Sequence, residues 1–234
     1  GSGSVTKPDF MKKVSLGSST KSSDSKGKKT DKPTEAFAFA NLKIVDRPNP
    51  SIYKLKEPKK EDGTAAEVKY YQDWGKAVPG YVSWRIEGAC EKLVDGKMTS
   101  LEVLDKLKAD VDHVLAHSDS LLKKIKLLAV VVSNQKQNII SKIKKNPNLR
   151  KDYDESLRVL QKQEDDIEGL VENVFPLLQE RRRTFLEKTK EWEEFVNEIG
   201  PVLGAKTAAD RLGGILQEYR LEWGKVDDRD PKKK

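Results

Sequence analysis

Residues 101–145 read LEVLDKLKADVDHVLAHSDSLLKKIKLLAVVVSNQKQNIISKIKK. Leu104, Leu107, Val111, Val114, Ser118, Leu121, Ile125, Leu128, Val132, Gln135 and Ile139 recur at alternating spacings of three and four, the period of one helix face. Leu115, Leu122, Ala129 and Ile143 widen that stripe on one side. A two-stranded coiled coil needs only a narrow seam, so the wide stripe predicts a bundle of three or four helices. Thr99 or Ser100, with Glu102 following, supplies a start signal. At about 1.5 Å per residue, a helix from 100 to 145 would be roughly 70 Å long.

Downstream the rhythm continues through Leu157, Leu160, Glu164, Ile167, Val171, Val174, Leu178, Arg181, Phe185, Lys188, Trp192, Phe195 and Ile199. Asn146-Pro147-Asn148 lies between the two runs and predicts a turn, so the helices should lie antiparallel, with residue i opposite roughly residue 294 − i. That register sets Lys126 near Glu168 and Lys136 near Arg158. Pro176 cannot donate to the Glu172 carbonyl and predicts a bend or break. Gly200-Pro201 should end the second helix, and a last short one is expected from about Thr207 to Trp223, with Leu212, Ile215, Leu216, Tyr219 and Trp223 inward. Gly213-Gly214 within it suggests close approach of a neighbouring helix.

Upstream, residues 64–95 predict two short helices separated at Pro79-Gly80, burying Val68, Tyr71, Trp74 and Val78 in one and Val82, Ile86, Ala89, Cys90 and Leu93 in the other. Glu35 to Pro58 carries Phe37, Phe39, Ile44, Ile52, Tyr53 and Leu55 among prolines, which predicts an extended arm, with one or two short strands, lying on the bundle. Residues 1–33 hold eight Lys and three Asp, and large apolar side chains such as Val5, Phe10, Val14 and Leu16 are too few to offset the entropy of folding. Gly1-Ser2-Gly3-Ser4 has the composition of a cloning scar. The expected fold is therefore all-α: an elongated antiparallel helical bundle built on a long coiled-coil-like hairpin, with short N-terminal helices and a disordered basic N-terminal tail. The expected divisions are a tail at 1–34, an arm and linker at 35–63, the bundle at 64–224 and a charged tail at 225–234.

Charged residues make up 35% of the chain, which fits long solvated helices better than an enzyme with deep pockets. The net charge of +7 favours an acidic partner. One cysteine, Cys90, excludes an internal disulfide and fits a reducing compartment. The longest apolar run, Leu127 to Val132, is too short to cross a bilayer, and the expected location is cytoplasmic, with nucleus and membrane surface as alternatives.

Between Leu121 and Lys151 there are nine basic residues and no acidic one, while Asp152 to Glu180 holds nine acids and two bases. Pairing across the hairpin should neutralise the middle and leave Lys142, Lys144, Lys145, Arg150 and Lys151 as a basic tip that could bind an anionic surface. Arg181-Arg182-Arg183 is a second basic cluster, from which Arg182 and Arg183 join the candidate set. Tyr70, Tyr71, Trp74, Tyr81 and Trp84 crowd into fifteen residues, either as a protein-interaction patch or as the bundle's own packing. Asp110, His113 and His117 have metal-ligand spacing, but no catalytic glutamate lies between the histidines. No phosphate loop, nucleophile elbow or cofactor fingerprint is present, so no metal, no cofactor and no enzymatic activity are expected.

In outline, long antiparallel helices, a proline inside one of them and cations near the turn resemble the BAR-domain class of membrane-curvature proteins. The resemblance implies a crescent-shaped homodimer whose Lys142, Lys144, Lys145, Arg150 and Lys151 touch lipid head groups. The expected function is a non-enzymatic scaffold or protein-interaction module whose basic tip docks on an acidic macromolecule, most simply a protein. A peripheral membrane protein and a nucleic-acid- or microtubule-binding protein are the alternatives.

Overall fold

The computed structural model describes residues 51–228, with side chains to Trp223. The expected tail at 1–34, the arm up to residue 50 and the last residues of the charged C-terminal tail lie outside the described residues. All regular structure among the described residues is helical. Helix α1 spans Thr64–Asp95, α2 Ser100–Lys145, α3 Arg150–Gly169, α4 Phe175–Leu203 and α5 Ala205–Asp228. A π turn at Leu170–Val174 joins α3 to α4, and short 3₁₀ turns stand at Ser51–Lys54, Lys60–Asp62 and Pro147–Leu149. The described end of the expected arm, from residue 51, carries a 3₁₀ turn and no strand; the rest of the arm lies outside the described residues.

Helix α2 starts where its signals indicate. The Thr99 amide donates to Glu102 Oε1 at 2.9 Å and the Glu102 amide donates to Thr99 Oγ1 at 3.2 Å, a reciprocal capping box. These bonds hold the exposed Glu102 carboxyl below its ordinary range. Gly96 and Gly204, at φ +74° and +89°, take the left-handed conformation that closes α1 and α4, and each amide donates four residues back, to Lys92 and Gly200.

Pro79 departs from expectation. Helix α1 runs unbroken through Pro79 instead of dividing there. A missing bond and the ring clash cost about 3 kcal/mol, but Trp74, Val78, Tyr81, Val82 and Ile86 are buried on both sides of the proline, and continuity of that face outweighs the local loss. Ahead of Pro176 the α-helical pattern of the long second run is interrupted between Gly169 and Phe175. The turn before it widens, and the Phe175 amide donates to Leu170 O, five residues back. The extra residue in this turn rephases the apolar stripe: Leu170 and Phe175 are buried, whereas Val171 and Val174 are only half-buried. Helix α4 passes Gly200-Pro201 and stops at Leu203, and α5 is longer than expected at both ends.

The chain forms two compact units. One contains residues 56–73 and 119–177, the other residues 51–55, 74–118 and 178 onward. In the first, Lys136 Nζ donates to Gln161 Oε1 at 2.6 Å and to Glu164 Oε1 at 2.8 Å, so α2 and α3 run antiparallel. Lys136 meets these residues instead of Arg158, a shift of about one turn from the expected register. Lys124, only 2% exposed, donates to Glu57 Oε2 at 2.8 Å and fixes the segment before α1. The core comprises Val68, Tyr71, Leu121, Ile125, Leu128, Val132, Ile167, Leu170 and Phe175. Beyond Val132 the stripe thins: Gln135 is exposed, Ile139 half-buried, and Ile143 is the next buried residue of α2.

In the second unit, Arg182 Nε donates to Asp112 Oδ1 at 2.7 Å across α4 and α2, on the expected register. Trp74 Nε1 donates to Ser118 Oγ at 2.8 Å, and that hydroxyl donates to Val114 O at 3.0 Å. Arg85 and Asp110, both buried, form an ion pair between α1 and α2, with the guanidinium 5.2 Å from the Trp84 ring centroid. Burial pushes the Asp110 carboxyl up from its ordinary range despite the opposing charge of Arg85.

Candidate docking surface

The basic tip lies wholly in the first unit. Asn146 Oδ1 accepts from the Asn148 amide at 3.2 Å, and this side-chain turn brings the end of α2 to the start of α3 within four residues. Ile143 and Leu160 are buried there, so the turn has an apolar footing. Lys142, Lys144, Lys145, Arg150 and Lys151 are all exposed. Lys142 Nζ lies 5.9 Å from the Tyr153 ring centroid, an aromatic support that sequence reading missed because Tyr153 is isolated in a polar run. No ion pair among the described residues engages Lys144, Lys145, Arg150 or Lys151. Of the nearby carboxylates, Glu155 is committed to Arg158, which holds it below its ordinary range.

Helix electrostatics explain half of this arrangement. Lys142, Lys144 and Lys145 occupy the last turn of α2, where cations oppose the negative end of the helix dipole. Arg150 and Lys151 occupy the first turn of α3, where the dipole disfavours them and only Asp152 supplies the preferred sign. Helix stability therefore accounts for three of the five cations and not for the other two.

The remaining candidate cations are engaged elsewhere. Arg182 and Arg183 belong to the second unit; Arg182 holds Asp112, and Arg183 is paired with Glu180 and Glu187. Arg181 lies 5.2 Å from the Trp223 ring centroid. Lys124 and Lys136, counted in the basic run, are held by Glu57 and Glu164.

The aromatic patch is corrected by burial. Tyr70, Tyr71, Trp74, Tyr81 and Trp84 are 8%, 2%, 2%, 0% and 7% exposed, so they are core and present no open docking face. Tyr71 donates to Glu67, Trp74 stacks edge-on against His117 at 5.0 Å, and Tyr53 packs on Tyr81 and Trp84 at 6.2 and 5.7 Å. A second buried cluster, Phe185, Trp192, Tyr219 and Trp223, forms between α4 and α5. Its signal was present in the spacing along α4 but was scattered over two helices. Asp110 is engaged by Arg85, His117 packs against Trp74 and His113 is exposed; among the described residues no group of three or more His, Cys, Asp and Glu is arranged to hold a metal ion. Nor is any helix among them long and apolar enough to cross a membrane. Comparison with protein-family models, curated proteins and solved structures finds no match to this chain.

Proposed function

We propose that this chain is a non-enzymatic interaction module built on an antiparallel helical hairpin, whose basic tip docks on the acidic surface of another macromolecule, most simply a protein. The observation that carries the reading is the exposed group Lys144, Lys145, Arg150 and Lys151, without ion-pair partners among the described residues, two of them at a helix start that disfavours positive charge. Lysine dominates the group, which suits a diffuse anionic surface more than bidentate recognition of one phosphate or carboxylate. Burial of all five patch aromatics leaves charge, not aromatic anchoring, as the means of attachment.

The test is equilibrium binding of the full chain to three probes of different chemistry: an acidic polypeptide, vesicles containing anionic lipid, and single-stranded RNA. Binding to the acidic polypeptide, weakened about tenfold or more between 50 and 300 mM salt, is the expected result. Tighter binding to vesicles or RNA than to the polypeptide would replace the protein partner with a lipid or nucleic-acid one.

A further inference from the structure

Helix α5 buries Ala208, Leu212, Leu216, Tyr219 and Trp223 along one face. Its opposite face carries Thr207, Arg211, Gly214, Glu218 and Leu221, spaced four, three, four and three residues apart and all exposed. That alternation is the period of a helix–helix seam. Gly213 and Gly214 lower the helix propensity of α5 at its middle, yet a Cβ added at either would meet nothing within 4 Å. Among the described residues, no helix therefore comes close enough to require them, contrary to the sequence expectation. Arg211 and Glu218 flank the glycines, and no ion pair among the described residues engages either one. Helix α5 offers them no partner of its own, because no opposite charge stands three or four residues from Arg211 or from Glu218. Asp210, beside the seam, is held by Lys206 at 3.4 Å.

We infer that the outer face of α5 is a dimerisation surface, and that its occupant is α5 of a second copy of the chain, crossing antiparallel at Gly214. A two-fold axis passing midway between Gly214 and Ile215 relates the two helices. Arg211 and Glu218 lie equally far from that point, about 5 Å along the helix on either side, so each Arg211 comes level with Glu218 of the second copy. One axis thus makes two identical ion pairs, as an isologous contact does. Gly214, having no side chain, lets the two backbones approach at the crossing and brings both pairs within reach. Leu221, 57% exposed, then lies within one residue of the level of Thr207 of the second copy and packs on its methyl group. The charges of the seam are their own complement about this axis, which selects a second copy over an outside protein. Exposed pairs and one leucine per copy hold the dimer weakly, with a dissociation constant on the order of 10–100 µM. This surface is independent of the basic tip.

The experiment is sedimentation equilibrium on the full chain in low salt, from about 5 µM to about 0.5 mM, with helical content checked by circular dichroism. Arg211→Glu and Glu218→Arg should each weaken the dimer about tenfold or more, because each sets like charges against one another. The protein carrying both substitutions regains the two pairs with their signs exchanged, and its affinity should return to within about threefold of wild type. By the same symmetry, the two single variants should associate with each other when mixed. Gly214→Leu tests the close approach: it should weaken the dimer about tenfold or more without lowering the thermal midpoint of the monomer, since the added side chain starts in open space. A wild-type chain that stays monomeric at about 0.5 mM would overturn the inference, as would a dimer left intact by both single variants. A doubly substituted chain no tighter than the single variants, with no gain on mixing them, equally overturns it.

Discussion

Single residues show how burial redirects chemistry that looks functional on paper. Arg85 and Asp110 could pass for a reactive pair, but both are buried and pair with each other between two helices. Removing one partner leaves an uncompensated buried charge, so Arg85→Met should destabilise by about 3–5 kcal/mol, while Arg85→Met with Asp110→Leu should recover most of that loss in urea unfolding. The pH dependence of Asp110 follows from its raised value. The folded state takes up this proton at higher pH than the unfolded state, so the group favours folding below its ordinary range, and that contribution is lost as pH rises through the folded value. Tyrosines give the alkaline counterpart. Burial pushes Tyr53 and Tyr219 up from 10 to about 12, so absorbance near 295 nm should show them ionising well after exposed phenols. The stability they lend is complete below pH 10 and disappears as pH climbs through about 12. Neither the pair nor the phenols could be told from surface groups by sequence, because Arg85 sits 25 positions from Asp110 and only folding sets them together.

At the scale of the element, periodicity was legible and proline chemistry only in part. The three-four spacing of α2 names its buried face from Leu104 to Val132 correctly, because one amphipathic helix fixes its own face without reference to its neighbours. Pro79 misled because a local rule about one hydrogen bond competes with burial along the whole helix. At Pro79 burial keeps the helix continuous; before Pro176 the chain inserts a π turn and shifts the stripe from Val171 and Val174 to Leu170 and Phe175. Caps remained readable since they are short-range. Thr99→Ala should cost about 1 kcal/mol in thermal or urea unfolding by removing the hydroxyl that accepts from Glu102, whereas Thr99→Ser should be close to neutral.

For the whole molecule, charge distribution rather than net charge carries the functional reading. Sequence supplied the basic run and its place beside the turn, and the antiparallel contacts from Lys136 and Arg182 follow from that turn. It could not sort the cations, because pairing depends on register. The structure removes Lys124, Lys136, Arg182 and Arg183 into ion pairs and leaves Lys144, Lys145, Arg150 and Lys151 exposed. The aromatic patch failed for a related reason, since crowding of Tyr and Trp in sequence is the same for an interface and for a core. The most direct test sets location against total charge. Two variants of equal net charge are measured for binding to an acidic polypeptide: Lys144→Glu, Lys145→Glu and Lys151→Glu at the tip, and Lys76→Glu, Lys108→Glu and Lys190→Glu away from it. The tip variant should bind about tenfold or more weakly than the other, and equal affinities would contradict the assignment of docking to the tip.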